Sequence, residues 1–185
     1  QVDLRFHRDG AGSTVAVNAW TNPATGRVDL TLRVNGKADA TSRGDLPTQL
    51  LLAHLPLLLR PESSDVMIVG IGSGLTCDAA LAHPAVQQVD AVEISPEVVE
   101  AARTQFEPYN HGALNNRRVA VVIDDAKSYL QTAGRKYDVI ISEPSNPWMA
   151  GVAGVFSREF YETCLANLKD GGVMTQWVHV YESSD

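Results

Sequence analysis

Val66-Met67-Ile68-Val69-Gly70-Ile71-Gly72-Ser73-Gly74-Leu75-Thr76 is the stretch whose reading decides the fold. Four apolar residues in a row suit a short strand buried on both faces, and three alternating glycines follow it directly. Thr76 to Ala82 then reads as a helix. Glycine permits a tight turn and a close approach of backbone to a ligand, where a Cβ would stand in the way.

The same alternation of strand and helix continues outward from this loop. Upstream, Thr48 to Leu59 has helical texture. Downstream, Val89 to Ile94 is a second apolar strand. Ser95-Pro96 then opens a helix, with serine as N-cap and proline in the first turn, and Val98, Ala102 and Phe106 form its buried stripe. Val119 to Ile123 is a third strand, and Ala126 to Thr132 a short helix closed by Gly134. Tyr137 to Ile141 is the fourth strand. Ser157 caps a helix whose Phe160, Cys164 and Leu168 face the core, with Gly171-Gly172 expected to stop it, and Val173 to Val180 is the fifth strand. Apolar strands alternating with amphipathic helices imply an α/β fold, a Rossmann-like parallel sheet covered on both faces.

Residues 1–44 have a different texture. Val2 to Phe6, Ser13 to Val17 and Val28 to Val34 alternate apolar with polar residues, and Asp9-Gly10 and Asn35-Gly36 are turn signals. A small N-terminal antiparallel β-region of about three strands is expected there, with the nucleotide-binding domain over residues 45–185. The chain is expected to be a fragment of a longer protein, its sheet completed by residues after Asp185.

Composition excludes several classes. A chain of 185 residues with 20% charged side chains and a formal charge of −7 reads as an ordinary globular protein without a broad nucleic-acid surface. Cys77 and Cys164 sit in no metal or redox spacing and read as small buried thiols. The five histidines show no ligand spacing, so no metal is expected. His54 reads as a packing residue. The apolar run Leu50 to Leu59 is broken by His54 and Pro56 and is too short for a bilayer core of about 30 Å.

In an open parallel sheet, ligands bind outside the carboxyl ends of the strands, where Gly70, Gly72, Ser73 and Gly74 lie. Glu93, at the end of the second strand, is placed to accept hydrogen bonds from both ribose hydroxyls. A phosphate-binding P-loop would need Gly-Lys-Ser/Thr, and a dinucleotide fingerprint would need glycine at Leu75. Asp124-Asp125, with Ala126 beside them, could take an adenine amino group. This order of groups is the one used for S-adenosylmethionine-type cofactors, in a methyltransferase-type fold. Ser142-Glu143-Pro144-Ser145-Asn146-Pro147-Trp148 completes the site, with Glu143 as candidate general base.

With these residues in place, the chain resembles the polyamine aminopropyltransferase (spermidine synthase) family. It is most similar to the spermidine-synthase-like domains fused to membrane transporter-like segments. The likeness rests on Val34-Asn35-Gly36, Gln49 to Leu59, Gly70 to Gly74, Val92-Glu93-Ile94, Asp125, Tyr137 to Ile140 and Phe156 to Tyr161. The resemblance implies transfer of an aminopropyl group from decarboxylated S-adenosylmethionine to a small-molecule amine. It also implies a homodimer, a cytoplasmic setting, and a membrane segment elsewhere in a longer chain. Glu93 would bind ribose, Asp125 adenine, and Gln49 would line the cofactor or amine pocket.

The departures fall on the amine side. Ser73 stands where the family usually has aspartate, Thr48 where tyrosine is common, and Glu143 to Pro147 replaces Asp-Ser-Ser/Thr-Asp-Pro. Asn146 thereby occupies the second acidic position, as a further catalytic candidate. Two other readings stay open here. One is a methyltransferase using S-adenosylmethionine itself, which Asn146-Pro147-Trp148 resembles in part. The other is a non-catalytic nucleoside-binding regulatory domain.

Overall fold

Asn35 and Gly36 both adopt positive φ, 51° and 81°, the pair of left-handed residues that a tight two-residue hairpin requires. In the computed structural model, which describes residues 2–144 and 153–178, that hairpin joins β3 (Val28–Val34) to β4 (Lys37–Thr41). With β1 (Val2–Asp9) and β2 (Thr14–Thr21) they form a four-stranded antiparallel sheet in the order β1-β2-β3-β4. The sequence reading expected about three strands. β4 escaped it because Lys37-Ala38-Asp39-Ala40-Thr41 contains only alanine as its apolar residue, too little for a visible alternation.

The second sheet is parallel throughout. Its strands are β5 (Asp65–Val69), β6 (Gln88–Glu93), β7 (Val119–Ile123), β8 (Tyr137–Ser142) and β9 (Leu168–Gln176), in the order β7-β6-β5-β8-β9. β5 is central, and the chain leaves it first to one side and then to the other. The glycine loop therefore sits at the switch point of the sheet. Side chains alternate across the strand as expected. Val66 and Ile68 pack on one face with Leu57, Cys77 and Val139, whereas Met67 and Val69 pack on the other with Leu130, Ile140 and Phe160. Cys77 and Cys164 are free and buried, as the sequence suggested.

The helices are α1 (Leu46–Leu59), α2 (Leu75–Leu81), α3 (Pro96–Thr104), α4 (Glu107–Asn110), α5 (Ala126–Thr132) and α6 (Arg158–Asn167). Two of their caps, Ser95 and Ser157, are those expected from the sequence, and Asp125 is a third. Ser95 accepts from the Val98 amide, Asp125 from that of Ser128, and Ser157 from that of Phe160. The stripe expected on α3 is divided between two cores. Val99 and Ala102 pack on the parallel sheet, while Val98, Ala101 and Phe106 pack against Val15, Val17 and Leu32 of the antiparallel one. α3 is thus held between the two sheets. Among the described residues, no helix is long and apolar enough to cross a membrane.

Gly171-Gly172 does not stop a helix. α6 ends at Asn167, and the chain passes at once into β9, which begins at Leu168 rather than Val173. The glycines lie where the β8–β9 register shifts, and a Cβ on Gly172 would stand 2.9 Å from the Lys169 carbonyl oxygen and 3.1 Å from that of Asp138. They make room for a bulge. Lys169 anchors the start of the strand, its Nζ lying 2.7 Å from Asp65 Oδ2 and 2.8 Å from Asp138 Oδ2.

Candidate active site

A cavity of about 500 Å³ opens at the carboxyl ends of β5, β6, β7 and β8. Gly70 and Gly72 form part of its floor, and Glu93, Asp125, Ala126 and Glu143 lie on its wall. Six of the residues singled out from the sequence are therefore brought around one space. Gln49, Ser73 and Gly74 are not on that wall. Gln49 and Ser73 are buried behind it, with the Ser73 hydroxyl donating to Gln49 Oε1 at 2.5 Å. The Gln49 amide donates at 2.9 Å to the Thr41 carbonyl and at 2.9 Å to Asp45 Oδ1. Gly74 caps α2 in the left-handed conformation against Asn110. Asn146 lies outside the described residues.

Glu93 holds the loop and the next helix together. Its Oε2 accepts from the Ile71 amide and its Oε1 from the Ser95 amide, each at 3.0 Å. Burial raises its pKa above the usual carboxylate range, although those amides pull the other way, and the charge of Asp39 adds to the rise.

Glu143 follows β8 directly, its amide donating to the Val69 carbonyl at 2.8 Å. Its Oε2 is 2.5 Å from the Thr76 hydroxyl. Burial pushes its carboxyl up to about 8. The Thr76 hydrogen bond opposes that shift, and the charges of Asp45 and Asp39 reinforce it. A carboxyl so placed is neutral until a cation approaches or the pH rises.

The antiparallel sheet supplies the opposite wall. Ala11, Gly12 and Ser13 from the β1–β2 turn, Val34 and Asn35 from the β3–β4 hairpin, and Asp39 from β4 all face the cavity. Ser13 donates to Ser95 at 3.2 Å and Ser95 to Glu97 at 2.7 Å, tying the β1–β2 turn to the start of α3. The lining carries Asp39, Glu93, Glu97, Asp124, Asp125 and Glu143, and among the described residues that line it there is no lysine, arginine or histidine. Such a space favours a cationic occupant, because paired charge offsets desolvation.

Three of these features were missed in the sequence. Asp39 sits on the strand that went unseen. Glu97 looks like an ordinary first-turn helix acid. Thr76 meets Glu143 across 67 residues of chain, a separation no local spacing rule reaches.

The profile of the spermine/spermidine synthase domain matches residues 46–182. The chain belongs to this family. Among curated relatives, the polyamine aminopropyltransferase of Serratia proteamaculans (strain 568) is 34% identical over 154 residues, covering 83% of this chain and 52% of that protein. A spermidine synthase crystallised with the transition-state analogue AdoDATO superposes with a TM-score of 0.84 at 26% identity, over 94% of this chain and 57% of that one. The spermidine synthase of Thermotoga maritima gives 0.81, also at 26% identity, over 94% of this chain and 56% of that one. The chain thus spans about half the length of the relatives it matches. The family's fold, a parallel sheet preceded by an antiparallel one, is the fold described above.

Proposed function

We propose that this chain carries the donor site and the general base of an aminopropyltransferase, which moves the aminopropyl group of decarboxylated S-adenosylmethionine to a small amine. The observation that carries this reading is the charge of the cavity. An intact S-adenosylmethionine would bring a carboxylate into a wall of six acidic side chains, with no basic group among the described lining residues to pair it. The decarboxylated donor presents only cations and meets no such penalty. The acidic wall also offers partners for the ammonium of an acceptor, in place of the aspartates replaced by Ser73 and Asn146.

Glu93 would hold the ribose, Asp125 and Ala126 the adenine end, and Gly70 and Gly72 would let the backbone lie against the ligand. The bound sulfonium supplies an electrophilic carbon: its bond to the amine nitrogen forms as the carbon–sulfur bond breaks, with the electron pair passing to sulfur. A neutral nitrogen is needed for that attack, whereas an amine near neutral pH arrives as ammonium. Glu143 accepts the proton lost, and the product amine leaves as a cation. Positive charge beside Glu143 lowers its proton affinity, so entry of the ligands generates the carboxylate that the step needs.

Titration calorimetry with the two donors tests the assignment. The decarboxylated form is expected to bind at least roughly tenfold more tightly, the effect of leaving out one unpaired carboxylate. Preference for the intact form would favour methyl transfer instead. Mass spectrometry of mixtures with putrescine is expected to show an added aminopropyl group. Tight nucleoside binding with no transfer to any diamine or polyamine would point to a regulatory domain.

Glu93→Gln is expected to weaken donor binding by roughly 10- to 100-fold. The change sets an amide NH₂ against either the Ile71 or the Ser95 amide, and hydrogen bonds to a charged acceptor contribute about 1.5–3 kcal/mol. Equal affinity in the variant would remove Glu93 from the ribose role.

A further inference from the structure

We propose that Thr76 is a positioning residue for Glu143, a hydroxyl that turns between two acceptors and so accommodates the carboxyl with or without its proton. The proposal rests on the general-base reading of Glu143 given above. Thr76 lies in the first turn of α2, is 1% exposed, and is not part of the cavity wall. It reaches Glu143 from behind the wall and acts through it.

The hydrogen count requires two states. Thr76 Oγ1 is 2.5 Å from Glu143 Oε2 and 3.2 Å from the Gln49 carbonyl oxygen. A threonine hydroxyl has one hydrogen to give and two lone pairs to accept with. When Glu143 is ionised, Thr76 gives its hydrogen to Oε2. When Glu143 carries the proton, the carboxyl donates to Oγ1, and the hydroxyl turns its hydrogen to the Gln49 carbonyl. Each state satisfies the buried hydroxyl, so neither leaves a polar atom without a partner on that side. The Gln49 carbonyl is a main-chain group within α1, and the helix keeps it in place as the second acceptor.

The other groups facing Glu143 cannot substitute for this role. Asp39 on β4 and Asp45 ahead of α1 are acids whose charge opposes its ionisation. The Cys77 thiol on α2 is pushed up to about 12, first by burial and then by the charge of Glu143, and stays neutral. Thr76 is the neighbour that favours the carboxylate, and it does so without adding charge.

Carbon NMR titration of the Glu143 carboxyl in glutamate-labelled full-length protein tests the proposal, with the signal assigned by its loss in Glu143→Gln. In the unsubstituted protein the midpoint is expected near 8. Thr76→Val keeps the shape and removes the hydroxyl, and is expected to raise the midpoint by about one pH unit, the scale of one charge-assisted hydrogen bond. Thr76→Ser restores the hydroxyl in a second background and is expected to return the midpoint to its original place. The acid limb of kcat/KM for amine transfer should move in parallel, with KM for the donor little changed. Coincident midpoints for the valine variant and the unsubstituted protein would overturn the proposal, whatever the activity of Glu143→Gln. Full transfer by Glu143→Gln would instead overturn the base assignment, and with it any part for Thr76 in the reaction.

Discussion

Glu143→Gln is expected to lower amine transfer by roughly 10²- to 10⁴-fold, the range that a positioned general base contributes. Glutamine keeps the side-chain length and can still accept from Thr76, so the lining and the donor affinity should change little. The capacity to take a proton is what disappears. The pH dependence separates this loss from a merely distorted site. The carboxylate, the active form, dominates above its pKa, so kcat/KM should fall as pH drops through about 8 in the unliganded protein. With the cationic donor bound, the same limb in kcat should lie at lower pH, because neighbouring positive charge favours the carboxylate. The glutamine variant should show neither limb in its residual rate. A residual rate that kept the limb would place the base elsewhere.

Gly70→Ala is expected to damage both fold and site. Gly70 has φ +83°, and a Cβ there would stand 2.6 Å from the carbonyl oxygen of Glu143 and 3.2 Å from its carbonyl carbon. Both are backbone atoms and cannot swing aside. The left-handed conformation alone costs an alanine about 1–3 kcal/mol, and the contact adds to it. For a chain of this size, a thermal midpoint lowered by roughly 10 °C is expected. Gly12→Ala is the control for stability, since Gly12 has ordinary φ and nothing within 4 Å of its Cβ position. Any Gly70→Ala protein that folds must separate the end of β5 from that of β8, displacing Glu143, so transfer should fall further than donor binding. A midpoint matching that of Gly12→Ala would show that the two strand ends yield easily.

These outcomes depend on features that sequence showed unequally. The β5–loop–α2 unit was legible because a buried parallel strand must be continuously apolar and the turn after it must be glycine. Ser95 and Ser157 were legible as caps because capping is local chemistry, whereas Asp125, read only as an adenine partner, is also the cap of α5. The fate of Gly171-Gly172 was not, since a glycine pair serves a helix stop and a strand bulge equally well. Ser73 shows the same limit within the site. Its position in the glycine loop suggests a ligand contact, yet its hydroxyl turns inward to Gln49, a partner 24 positions away along the chain. Thr76 and Asp39 gain their meaning only from the approach of α2 to Glu143, just past β8, and of β4 to the glycine loop. Local patterns give the elements, and the carboxyl environment arises from their assembly.

The wall contributed by Ala11, Gly12, Ser13, Asn35 and Asp39 makes the antiparallel sheet a part of the binding equilibrium. A ligand enclosed between the two sheets cannot be held fully once either has opened, so occupancy adds RT ln(1 + [L]/Kd) to the work of opening both. The resistance of β1 to β4 to local unfolding would then become a property of the solution as well as of the chain, rising with the free concentration of whatever ligand the cavity takes. A small sheet that leans on α3, on Tyr109 of α4 and on Gln49 of α1 would thereby gain a further support from its ligand.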